Sequence, residues 1–184
     1  MSDIRGPDWF KNPPVRRVGA LALIERGADE FAVIRRTYWS PISQWGLPGG
    51  SVAPDERPWT GLTRCLEEKL GNARLTPGAF LGVDHAPAKP GRHAEGINFL
   101  YHLRVSDDML LTPSADSGYV EVRWVTARTV RELAVDHELL RIEQCLRAAR
   151  EGRADELLLG VPQHSSRAPV DLPGPSCRAV PTSP

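Results

Sequence analysis

The chain has 184 residues, with 23 basic and 23 acidic side chains and a formal net charge of zero. That balance argues against a non-specific nucleic-acid or anionic-membrane binder, which needs a basic surplus. The length reads as one domain large enough to bury a real core, with short extensions. Cys65, Cys145 and Cys177 are scattered without a CxxC pair, which argues against a zinc site or a disulfide framework and fits a reducing cytoplasm. The N-terminus has no apolar segment of signal-peptide type, and the longest apolar runs are too short to span a bilayer.

Residues 1–14 are polar and proline-bearing and read as an arm, with Trp9 and Phe10 available to pin it. "VRRVGALALIE" reads as a buried strand, "GADE" as a turn and "FAVIRRT" as a second strand, which gives a hairpin. "TYWSPISQWGLP" is an aromatic-rich loop. Pro58 suits the first turn of a helix and Gly71 its end. Between them Trp59, Leu62, Leu66 and Leu70 recur at helical spacing and predict one buried stripe. Gly61 costs this helix about 1 kcal/mol against alanine and stands there either for close packing or by drift.

Further on, "LTPGAFLGVDHAP", "INFLYHLRV" and "GYVEVRWVT" read as strands, and "ARTVRELAV" and "DHELLRIEQCLRAAREG" as helices. In the last helix Leu139, Leu140, Ile142, Cys145, Leu146 and Ala149 form the expected apolar face. From Gly160 onward six prolines in 25 residues predict a disordered tail. The order of strands, helix, strands and helices predicts an α/β/α sandwich around a mixed sheet.

The stretch "LPGGSVAPDERPWTGLTRCLEEKLGN", residues 47–72, runs from a glycine-rich turn into a carboxylate-bearing helix. It resembles the Nudix box, G-x5-E-x7-R-E-U-x-E-E-x-G-U with U aliphatic. Gly50, Glu56, Arg64, Leu66, Glu68 and Gly71 fall on the pattern at the right spacing, preceded by "WGLPGG". The late "EVRWVT" followed by "VREL" is also similar to the family. The resemblance covers roughly residues 15–150 and implies a Nudix fold, with an arm over 1–14, the domain over 15–159 and the proline-rich tail over 160–184.

Three positions depart from the pattern: Cys65 and Lys69 stand where the box has glutamates, and Asn72 where it has an aliphatic residue. Positions 65, 68 and 69 are spaced i, i+3 and i+4, so they share one helix face. In the family that face carries three carboxylates that hold Mg2+ or Mn2+ against a diphosphate. Here it carries a thiol, a carboxylate and an ammonium. Hard cations take oxygen ligands, and a protonated lysine has no lone pair to give. Repulsion between Lys69 and a cation at Glu68 is on the order of a few kcal/mol at an effective dielectric of about 20.

The resemblance implies hydrolysis of the phosphoanhydride of a nucleoside diphosphate linked to another moiety, with Mg2+ or Mn2+ as cofactor if the site is active. Two alternatives stay open: a binder of a nucleotide-like or phosphorylated small molecule, and a metal-independent enzyme on the same scaffold. Glu68, Arg64 and Glu121 are the catalytic candidates; Arg64 either contacts phosphate or orients a glutamate by a salt bridge, and Glu121 and Glu95 are the candidates for the acid that many Nudix proteins place outside the box. Glu68 and Glu56 are the candidate metal ligands. Gly49 and Gly50 either cradle phosphate or simply make the turn. Lys69 is either a built-in cation or a surface lysine. His85 and Glu95 are further candidates for substrate contact. Tyr38 and Trp45 either stack on a base or cap the sheet. No nucleic-acid or membrane partner is expected, and a homodimer fits the family.

Overall fold

The computed structural model describes residues 15–37, 45–71, 75–90, 94–115, 117–134 and 136–163. The expected arm, Tyr38, Asn72 and most of the tail lie outside the described residues. Strands β1 (Arg17–Arg26) and β2 (Glu30–Arg36) form the hairpin expected from the sequence, closed by a turn with Gly27 at φ 57°. There follow β3 (Trp45–Gly46), β4 (Gly49–Ser51), α1 (Pro58–Leu70), β5 (Thr76–Ala86), β6 (Gly96–Arg104), β7 (Tyr119–Val125), a 3-10 turn (Thr129–Glu132), α2 (Asp136–Glu151), β8 (Asp155–Leu158) and β9 (Val161–Pro162).

The strands form one mixed sheet in the order β3-β2-β1-β6-β5-β8-β9, with β4 paired to β1 and β7 to β2. β1 runs parallel to β6 and β5 parallel to β8, while the other pairs are antiparallel. Alternation along β1 sends Ala20, Ala22 and Ile24 to one face and Leu21 and Leu23 to the other. The first face packs on Leu62, Leu66 and Leu70 of α1, and the second on Ile142, Cys145 and Leu146 of α2. Each buried leucine contributes about 2 kcal/mol of apolar burial. The result is the expected α/β/α sandwich. No helix among the described residues is long and apolar enough to cross a membrane.

The fold differs from the sequence reading in three places. The expected helix over "ARTVRELAV" is only the 3-10 turn. Thr126 and Thr129 bond each other's backbone N–H groups through their hydroxyls, a local alternative to helical bonding. On α2, Leu140 is exposed, while Glu138 and Arg141 are buried in its place. The two charges neutralise each other across i, i+3, which allows a burial that neither would accept alone. Finally, β8 and β9 form a hairpin that carries the sheet just past residue 159, through a Leu159–Gly160 turn with positive φ at both residues.

Candidate active site at the β4–α1 junction

Glycine lets β4 slide between β1 and α1. Gly49 has φ 145°, and a Cβ there would lie 2.1 Å from the Ala20 carbonyl oxygen. A Cβ on Gly50 would lie 2.5 Å from Cys65 Sγ and 3.0 Å from Lys69 Nζ. The Gly49 peptide is occupied on both sides by one side chain: its N–H donates to Tyr119 Oη at 2.8 Å, and the same hydroxyl donates to its carbonyl at 2.5 Å. These two glycines therefore serve close packing, and the Gly49 N–H is already engaged.

The helix face behind this turn is filled from within the protein. Cys65 is buried and its thiol points to Ser51 O at 3.5 Å. Lys69 is half-buried; its ammonium donates to Gly49 O at 3.3 Å and lies 5.0 Å from the centre of the Tyr119 ring. Burial lowers its proton affinity below the ordinary lysine value.

Arg64 organises the carboxylates. Its Nε and Nη2 hold Glu56 in a two-pronged bond of 2.9 and 2.8 Å, while Nη1 reaches Glu68 at 3.3 Å and Nη2 reaches Ser51 O at 3.2 Å. Glu56 also accepts the Ala53 N–H at 2.8 Å. Arg64 and this N–H bring the Glu56 carboxyl down to about 2, and Glu56 in turn raises Arg64. The same carboxylate explains Gly61, since a Cβ there would lie 2.8 Å from Glu56 Oε2. Glu68 remains 55% exposed, so it is the box carboxylate open to solvent.

The other candidates are placed elsewhere. Glu121 stands opposite Arg35 in the β2–β7 ladder and is bound by Arg35 at 3.2 Å and Arg123 at 2.5 Å. Glu95 pairs with Arg16 at 2.7 Å, and His85 lies 3.5 Å from Glu156 on β8. Trp45 is a core residue beneath the Arg123 guanidinium. Among the described residues no group of three or more His, Cys, Asp and Glu side chains converges as a metal site.

Two groups near the site carry no local sequence signal. Tyr119 lies 70 residues from Gly49 in the chain. Arg36 is buried, donates to the Leu47 carbonyl and faces the Tyr119 ring. Its positive charge contributes to lowering the proton affinities of both Lys69 and Arg17.

A glycine turn and carboxylate helix set in an α/β/α sandwich define the class, and comparison gives the family. A family model described as the NUDIX domain matches residues 15–142, and the chain belongs to this family. No curated protein matches the chain. Among solved structures, the MutT protein from Methanosarcina mazei Go1 is similar at 22% identity and TM-score 0.58, over 77% of this chain and 98% of that one. A C. elegans Ap4A hydrolase is similar at 17% and 0.60, over 74% and 98%, and a UDP-X diphosphatase at 13% and 0.61, over 79% and 68%. At these identities the likeness is one of fold.

Proposed function

We propose that this chain acts on the phosphoanhydride of a small nucleotide-like molecule, a nucleoside diphosphate linked to another moiety, and that its box supplies fixed protein charges where relatives use a caged cation. The observation that carries this reading is the Lys69 ammonium, seated on the Gly49 carbonyl oxygen. Its neighbours on that helix face do not fit a tightly held Mg2+ or Mn2+. One is a buried thiol, and the other, Glu68, already shares a guanidinium with Glu56.

The chain's own groups divide the work as follows. Lys69 offsets phosphate charge as a point charge, while Arg64, its donor fork engaged by Glu56, Ser51 O and Glu68, holds the two carboxylates in place. Glu68, open to solvent, orients and deprotonates the attacking water. Glu56 fixes Arg64 and is a positioning residue. Hydrolysis of a panel of nucleotide sugars, dinucleotides and nucleoside triphosphates, with Mg2+, with Mn2+ and with EDTA, tests the reading. Turnover that Glu68→Gln abolishes is expected. A panel with no turnover above that variant removes the hydrolase.

The Lys69–Gly49 contact also favours a second reading, a Nudix-fold binder that holds such a ligand without cleaving it. That reading expects ligand-induced thermal stabilisation that is indifferent to EDTA. Stabilisation seen only with Mg2+ counts against it.

A further inference from the structure

Arg17, at the start of β1, carries a guanidinium that no acid among the described residues pairs. Its neighbour Arg16 takes Glu95 at 2.7 Å. Asp84 and Glu138 act on Arg17 only through their fields, and both are held by Arg141, at 2.5 and 2.6 Å. Arg17 Nη1 donates to Asn98 Oδ1 at 3.1 Å, an uncharged partner. Burial, and after it the charge of Arg141, lower the proton affinity of Arg17, so the guanidinium is partly stripped of water and short of counter-charge.

The guanidinium lies over two glycines. A Cβ on Gly19 would stand 2.8 Å from Arg17 Nη1, and one on Gly96 would stand 2.9 Å from Nη2. A side chain at either position would push the guanidinium off the sheet. Glycine inside a strand marks a close approach of this kind. Asn98 is the second donor here. It is 4% exposed. Its Oδ1 is spent on Arg17, and Nδ2, the other end of the amide, bonds no described residue. A buried N–H left without an acceptor costs about 1–3 kcal/mol, a cost that an arriving acceptor removes. The open groups are all donors and one of them is charged, which is the complement of an oxyanion.

We infer that Arg17 and Asn98 form an anion site that takes a phosphoryl group. Strand alternation places both on the α2 side of the sheet, with Leu21 and Leu100. Gly19 stands between Asn98 and Ser51 in one row across β6, β1 and β4. One strand spacing, about 5 Å, separates Gly19 from Ser51. The Ser51 carbonyl oxygen is the atom that Arg64 and Cys65 of the box both bond. A phosphate chain therefore passes from the box to Arg17 around β4, which pairs only with β1 among the described strands. On the function proposed above, and resting on it, Arg17 takes a phosphoryl group beyond the scissile anhydride. It thereby favours substrates with three or more linked phosphates over nucleotide sugars, which have two.

The test titrates the full chain with inorganic phosphate, against chloride of equal ionic strength, and follows the side-chain nitrogen–proton NMR resonances of Asn98 Nδ2 and Arg17 Nε. Saturable shifts of both are expected with phosphate and not with chloride. Arg17→Gln, at an exposed position, should keep the fold and weaken the phosphate response of Asn98 roughly tenfold or more. Lys69→Met should leave that response unchanged. No saturable shift at Asn98, an equal shift with chloride, or a response kept in Arg17→Gln would each overturn the site. In the hydrolysis panel, Arg17→Gln should lower kcat/KM roughly tenfold for nucleoside triphosphates and dinucleoside polyphosphates and spare nucleotide sugars. An equal loss on both classes would overturn the substrate preference. A parent protein without turnover would remove the proposed function, and the phosphate titration would still decide the Arg17 site.

Discussion

Lys69 and Tyr119 meet on a single atom: the ammonium of one and the hydroxyl of the other both donate to the carbonyl oxygen of Gly49, at 3.3 and 2.5 Å. The positive charge at this corner is therefore a covalently tethered part of the fold, held in place by hydrogen bonding and by the face of the tyrosine ring.

Tyr119→Phe tests how much that corner depends on the hydroxyl. The variant keeps the ring but leaves the buried Gly49 N–H without its partner. A loss of about 1–3 kcal/mol in urea unfolding is expected. An unchanged midpoint would mean that the turn finds another partner.

Replacing both Cys65 and Lys69 with glutamate restores three acids to one helix face. Without metal the double variant is expected to be less stable than the parent, because position 65 is buried and the new carboxylates repel one another. With Mg2+ it should recover stability and bind the ion at least tenfold more tightly than the parent by calorimetry. Equal affinity in both proteins would show that this face is not where a cation sits.

The buried charges on the other side give a larger effect. Asp84→Asn leaves Arg141 with Glu138 as its remaining close carboxylate. Breaking a buried pair from one side costs about 3–5 kcal/mol. A loss of that order is expected in chemical denaturation, together with loosening of the β8–β9 turn visible as faster amide exchange at Gly160. Protection at Gly160 equal to that of the parent would refute the link.

Acid titration has a definite sign. Glu56 falls from 4.5 to about 2 in the fold, because Arg64 and the Ala53 N–H favour its charged form. Its contribution is fully present above pH 4.5 and is lost as pH falls toward 2. Glu56→Gln should therefore be less stable than the parent at pH 7, and the two stability curves should converge near pH 2. Parallel curves across that interval would rule out the Glu56–Arg64 pair as their source.

The sequence by itself determined the sandwich and the box helix, because both rest on local periodicity. Leu62, Leu66 and Leu70 recur at 3.6 residues, β1 alternates at two, and Pro58 and Gly71 bound the helix through their own backbone limits. It also determined that positions 65, 68 and 69 share a face, since helix geometry fixes that. Only the tertiary structure decided what the face meets. Tyr119 reaches Gly49 across 70 residues, Arg141 reaches Asp84 across 57, and Glu121 is drawn to Arg35 by strand register. The burial of Glu138 and Arg141 was invisible in the helix pattern for the same reason: a charge is stable inside only when a partner, supplied by another element, arrives with it.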